Sequence, residues 1–215
     1  MNAFSKLLDD IKFIDFSCLP GMEAQIRMAP TNRRDDIRKM GEGHKPLKSG
    51  VLLLLYPLDD GEAGVVFIRR PQYNGVHSGQ ISFPGGRYEP GDPDLRHTAL
   101  REAQEEIGID PEQVEVIGRL TDLYIPPSNH KVSPWVGVMH HRPVFKPDPF
   151  EVESILEVAL TNFLSEENLQ NIPIKLADGS RLSTPCYHIE GNVIWGATAM
   201  MMAEFLECIK KRELK

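Results

Sequence analysis

Between Asp92-Pro93 and Gly108 the chain has few options other than a single helix. Aspartate accepts hydrogen bonds at an N-cap, proline is tolerated at the first helical position, and glycine supplies the stop. Leu95, Ala99, Ala103 and Ile107 recur every fourth residue and form a narrow apolar stripe. Its alanines allow a close approach to whatever the helix packs on. Away from the stripe, Glu102, Glu105 and Glu106 stand at i, i+3 and i+4, so their carboxylates converge on one patch. Like charges at that spacing repel by about 0.2–0.5 kcal/mol per pair, and a divalent cation reverses the sign. Oxygen-only ligands suit Mg²⁺ or Mn²⁺. The ordinary alternative is a solvated acidic face with Arg101 as its ion-pair partner.

The remaining elements follow from pattern. Residues 3 to 14 carry apolar positions at Phe4, Leu7, Leu8, Ile11 and Ile14, the spacing of an amphipathic helix. Residues 29 to 49, rich in charge, glycine and proline, read as an extended lead-in. Strands are expected at Gly50–Tyr56, Gly64–Arg69, Val114–Leu120, Val132–His140, Ile172–Leu176, Cys186–Ile189 and Val193–Trp195. Helices are expected near Thr161–Leu169 and over Ala197–Lys211, and residues 71 to 91 as loop. Strands and helices mix without strict βαβ alternation, which favours a compact α+β or layered α/β domain. The division expected is residues 1–48 as N-terminal helix and lead-in, and 49–215 as the functional domain.

Composition narrows the partners. With 41% hydrophobic and 26% charged residues the chain is an ordinary globular mixture. A net charge of -7 disfavours nucleic-acid backbone. No apolar run is long enough for a membrane span, and Asp9, Asp10 and Asp15 break any secretion signal. Cys18, Cys186 and Cys208 form neither a zinc pattern nor a disulfide framework, and Arg-Glu-Leu-Lys is no peroxisomal address. These features point to a cytoplasmic protein.

The segment from Gly86 to Ile109 resembles the Nudix box: Gly, five residues, an acid, then Arg-Glu-aliphatic-x-Glu-Glu-x-Gly-aliphatic. Gly86 opens it, and Arg101 to Ile109 match its second half, with Ala103 in the aliphatic slot. Two positions differ: the first acid is Asp92, and the gap to Arg101 is one residue longer. Upstream, Arg70 followed by His77-x-Gly79-Gln80-x-x-Phe83-Pro84-Gly85-Gly86 is similar to the motif of coenzyme A pyrophosphatases, where Asp and the longer gap are usual. Pro127-Ser128, Val132-x-Pro134-x-Val136-Gly137, the stretch Glu151 to Leu160, and Ile194-Trp195-Gly196-x-Thr198-Ala199 extend the likeness over about residues 50 to 210. Asn74 and Gly75 depart from it where Leu and a basic or small polar residue are common, as do Pro71 and Ala159.

The resemblance implies a Nudix fold, a mixed sheet between helices, and a Mg²⁺- or Mn²⁺-dependent hydrolase of a nucleoside diphosphate derivative. Coenzyme A or its acyl forms lead as substrate, with ADP-ribose or a dinucleotide as alternatives. It also implies metal ligation chiefly by Glu102 and Glu106. Glu105 supplies a ligand or holds the attacking water, Arg101 orients the carboxylates, and the carbonyl of Gly85 or Gly86 adds a ligand. Substrate contacts are expected from Arg70, His77, Gly79, Gln80 and Arg87. For each a plainer reading exists. The glycines serve turns, His77 and Gln80 bond loop backbone, Arg69 and Arg70 end a strand, and Asp92 is an N-cap. His130, His140 and His141 read as surface or core histidines. No Ser-His-Asp arrangement suggests a covalent nucleophile. The partner expected is a small nucleotide, with neither nucleic acid nor membrane, and a homodimer is left open as the assembly. Two rivals of other classes are a nucleotide-binding module without catalysis and an interaction domain using Met200-Met201-Met202, which in a terminal helix reads better as core.

Overall fold

The computed structural model describes residues 2–30, 34–38, 45–72, 77–175, 179 and 181–210. The organising strand is β1 (Leu47–Pro57). Its apolar run Leu52 to Tyr56 is fully buried, because the sheet is covered on both faces. Alternation sorts the run. Leu53 and Leu55 join a core with α1 (Ala3–Ile11) and α5 (Gly196–Lys210). Leu52, Leu54 and Tyr56 join a second core with α4 (Leu95–Ile107). This is the expected mixed sheet between helices. β1 runs parallel to β7 (His130–Val138) and antiparallel to β2 (Ala63–Arg69). β5 (Glu115–Arg119) and β6 (Leu123–Ile125) flank β7, and β8 (Ser154–Ala159) flanks β2.

β1 and β2 pair only over 55–57 and 63–65, then diverge. Two short strands fill the opening: β3 (Ile81–Ser82) along β2, and β4 (Gly85–Arg87) along β1. The expectation of loop over 71 to 91 is corrected there. β4 carries glycine because nothing larger fits: a Cβ on Gly85 would lie 2.5 Å from Gly50 O. A second sheet, β9 (Leu169–Lys175), β10 (Arg181–Ile189) and β11 (Asn192–Trp195), is wholly antiparallel.

Other differences have local causes. Residues 161 to 169 form two short 3-10 turns instead of an α-helix, since Ser165 breaks the run and Leu169 enters β9. The lead-in over 29 to 49 is not wholly extended: α3 (Arg34–Arg38) falls within it, α2 (Met22–Gln25) precedes it, and β1 already starts at Leu47. Gln25 is fully buried and ties α2 to α5 by donating from Nε2 to Glu204 Oε2 at 2.7 Å and to Thr121 O at 2.8 Å. Lys211, expected to end α5, lies outside the described residues. Among the described residues no helix is long and apolar enough to cross a membrane.

Candidate active site

The helix that carries the three glutamates begins two residues later than Asp92 suggests. Asp94 is the N-cap; its carboxylate accepts from His97 N at 2.9 Å. Asp92 is instead a buried anchor, 7% exposed. It accepts from Arg101 Nε at 2.9 Å, Thr98 Oγ1 at 2.8 Å and Glu89 N at 3.0 Å. The Arg101 guanidinium, more than burial opposes it, holds the Asp92 carboxyl well below the usual carboxylate range. Gly108 ends the helix as expected, left-handed at φ 71°.

Arg101 is the hub of this end of the site. It donates to Asp92, to Glu105 Oε2 at 2.8 Å, to Glu102 Oε1 at 3.0 Å and to the Arg87 carbonyl at 3.2 Å. Loss of the Asp92 charge should therefore loosen the whole set. Asp92→Asn is expected to destabilise the fold by about 1–3 kcal/mol at pH 7. The sign follows from the depressed carboxyl. Its stabilisation is present above the ordinary carboxylate pKa and fades as the pH falls below it. The gap in melting temperature between wild type and variant should narrow below pH 4, and a constant gap would mean that packing, not charge, is lost.

Glu106 departs most from expectation. It does not stand on an exposed face; it is 1% exposed and its Oε2 accepts from Gly85 N at 2.8 Å. Burial pushes its carboxyl up to about 8, against the Gly85 hydrogen bond and the field of Arg70, with Glu102 and Glu151 pushing the same way. Burial also raises Glu102, opposed by Arg101. Gly86 lies directly against Glu102, where a Cβ would sit 2.3 Å from its Oε2. Glu105 is exposed and drawn toward Arg101. Among the described residues no three acid, histidine or cysteine side chains already surround a common point. Glu151, whose part the sequence left open, lies close enough to raise both Glu102 and Glu106.

Gly85 and Gly86 also wall a cavity of about 520 Å³, with the glutamates standing against them outside its lining. Arg70, His77, Gln80 and Arg87, four of the expected substrate contacts, line it. His77 Nδ1 and Gln80 Oε1 are 3.0 Å apart and hold each other. Gly79 is not among the lining residues; it makes the turn at φ 65°. Arg69 turns away, donating to Asn192 Oδ1 at 2.6 Å. Asn74 and Gly75 lie outside the described residues. Met200 and Met201 are core, as expected, and also form part of the cavity wall with Trp195 and Ile125. Ser49 and His130 line it too, and sequence reasoning missed both. His140 pairs with Glu115 on the outside.

Known proteins share both sequence and fold with this chain. The NUDIX domain model matches residues 47–178. The chain is 35% identical over 175 residues to Nudix hydrolase 22, chloroplastic, of Arabidopsis thaliana, covering 78% of this chain and 57% of the relative. It is 30% identical over 158 residues to human mitochondrial coenzyme A diphosphatase NUDT8, covering 73% of this chain and 67% of that protein. It thus spans about half the length of the Arabidopsis relatives it matches. A crystal structure of a C. elegans Ap4A hydrolase binary complex shares the fold at a TM-score of 0.51 and 15% identity, covering 77% of this chain and 98% of that one. The family match takes in β1, the Gly85-Gly86 strand and the whole glutamate helix, and it spans more than half of the sequence: the chain belongs to the Nudix family.

Proposed function

We propose that the protein is a Mg²⁺- or Mn²⁺-dependent hydrolase of the pyrophosphate linkage in a nucleoside diphosphate derivative, with coenzyme A as the preferred substrate. One observation carries this reading. Glu106 is a buried carboxylate with no ion-pair partner among the described residues, beside Glu102 and the bare Gly85-Gly86 backbone. A buried anion without a counter-charge is costly, and a hard cation with oxygen ligands removes the cost.

The residues fit such an ion. Glu102 and Glu106 would hold it, with the carbonyl of Gly85 or Gly86 as a neutral oxygen donor. A bound Mg²⁺ supplies charge neutralisation at the phosphoryl oxygens and a lower pKa for the attacking water. Arg101 fixes the Glu102 and Glu105 carboxylates, and Glu105, the exposed member of the three, is the group suited to accept a proton from water. Arg70 and Arg87, on the cavity wall, can meet phosphate oxygens with charge-assisted hydrogen bonds. Water oxygen bonds to one phosphorus as the bridging P–O bond breaks, and the leaving group departs as a phosphate monoester. For coenzyme A the products are 4′-phosphopantetheine and adenosine 3′,5′-bisphosphate.

Three features support coenzyme A over ADP-ribose or a dinucleotide. They are the His77-x-Gly79-Gln80-x-x-Phe83-Pro84 motif, the named activity of the human relative, and an apolar stretch of cavity at Met200, Met201 and Trp195 suited to an arm that is not a sugar. The three free cysteines fit a reducing compartment, of which the cytoplasm is the one proposed. The test is a panel of coenzyme A, acyl-coenzyme A, dephospho-coenzyme A, ADP-ribose and NADH with Mg²⁺, products identified by mass. Coenzyme A is expected to exceed dephospho-coenzyme A in kcat/KM about tenfold, or ~1.4 kcal/mol. Equal values, or faster cleavage of ADP-ribose, would overturn the coenzyme A assignment. Absence of turnover across the panel would leave a nucleotide-binding module.

A further inference from the structure

The parallel pairing of β1 with β7 brings together two residues 81 positions apart: Ser49 Oγ stands 2.6 Å from His130 Nδ1. Both line the cavity that holds Arg70, His77 and Arg87. The histidine is fixed in place by backbone on two sides. It pairs with Ile125 of β6 and with Leu47 of β1, and Asn129 before it turns left-handed at φ 52°. Such a clamp holds a side chain to one direction, as a ligand-binding group requires.

We infer that His130 is a substrate-binding residue that donates its Nε2–H to a phosphate oxygen of the ligand, and that Ser49 is the positioning residue that sets its tautomer. The identity of the ligand as a phosphorylated nucleotide rests on the hydrolase reading above. A neutral imidazole carries one donor and one acceptor nitrogen. If the Ser49 hydroxyl donates to Nδ1, the ring proton sits on Nε2 and a donor is offered to the cavity. The reverse arrangement would present a lone pair to an anion and repel it. Burial, reinforced by the positive field of His77, Arg87 and Arg70, keeps the ring below its ordinary pKa and so neutral at pH 7. The wall then combines two fixed arginine charges with a directional neutral donor that does not add to their mutual repulsion.

The experiment uses wild type, His130→Ala, His130→Gln and Ser49→Ala. Nitrogen-15 spectra of the labelled, ligand-free protein at pH 7.5 read the tautomer directly, the His130 signals being those lost in His130→Ala. A protonated Nε2 with a bare Nδ1 is expected in wild type, and a mixture of tautomers in Ser49→Ala. Calorimetric titration with coenzyme A in EDTA then isolates the basic wall from any metal. His130→Ala is expected to weaken binding about tenfold, and Ser49→Ala about threefold. His130→Gln, whose side-chain N–H can reach the same place, should stay within about threefold of wild type. A proton on Nδ1, equal affinity in His130→Ala, or no binding of coenzyme A by wild type would each overturn the inference. Should His130→Ala fail to fold, His130→Gln identifies the His130 signals, and the threefold loss expected in Ser49→Ala together with the wild-type and Ser49→Ala tautomers decides it. Turnover of the diphosphate panel by wild type with Mg²⁺ is read separately. A protein that binds coenzyme A through His130 and hydrolyses nothing would sink the hydrolase reading and leave this one standing.

Discussion

Glu106→Gln is expected to lower kcat roughly 10²–10³-fold at saturating Mg²⁺, the usual scale for removing one group that stabilises transition-state charge. The same change should stabilise the metal-free protein. The folded-state carboxyl sits at about 8, above its ordinary value of 4.5, so ionised Glu106 opposes folding. That opposition is absent below pH 4.5 and grows as the pH rises toward 8. In EDTA the variant should melt at nearly the same temperature as wild type at pH 5. By pH 8 it should melt several degrees higher, for a difference on the order of 2–4 kcal/mol. Adding Mg²⁺ should raise the melting temperature of wild type and leave the variant where it was. Unchanged turnover would remove Glu106 from the metal set. A melting gap that ignores pH would mean that the carboxylate is not held out of water as described.

Gly50→Ala should cost far more stability than a single methyl group usually does. A Cβ on Gly50 would lie 2.3 Å from the Leu95 carbonyl oxygen and 3.0 Å from Ala99 N, both backbone atoms of α4. No side chain can swing aside there, so the helix itself must move off β1. A cost of about 3 kcal/mol is expected, which for a chain of this size is a drop of roughly 6–12 °C. Because Gly50 pairs with Gly86, the shift also parts Glu102 and Glu106 from the β4 backbone, and kcat should fall in the protein that remains folded. Gly91→Ala is the control: its added Cβ meets nothing within 4 Å, and a change within about 0.5 kcal/mol is expected. If Gly50→Ala melted like Gly91→Ala, the close approach of helix and strand would be wrong.

The sequence made some of this legible and hid the rest for identifiable reasons. Strands β1, β2, β5 and β7 stood out as apolar runs between turn residues, and Gly108 marked the end of α4. β3 and β4 could not be seen, because two or three residues among glycines carry no period; they exist only because β1 and β2 part. Asp92-Pro93 read as a helix start since its local chemistry is that of a cap. The competing claim came from Arg101, nine residues on, which draws Asp92 into a buried ion pair and leaves the cap to Asp94. By its spacing Glu106 stands off the apolar stripe, where a carboxylate is ordinarily solvated. Helical spacing gives its angle but not the depth to which β4 covers it. Arg70, His77 and Gln80 stand in one motif and the structure places all three on the cavity wall. His130 was passed over because a lone histidine carries no signal until β7 is laid beside β1.

The alternation along β1 makes that strand a partition. Leu53 and Leu55 belong with the α5 methionines that wall the cavity; Leu52, Leu54 and Tyr56 belong with the helix that carries Glu102 and Glu106. The two sets share a backbone but no side-chain layer, and changes in groups that do not touch add independently. The packing behind the cavity and the packing behind the glutamate helix are thus set separately, and the two meet at the Gly85-Gly86 backbone. Exchanging the α5 methionines should therefore reshape the cavity wall while α4 keeps its seat on β1.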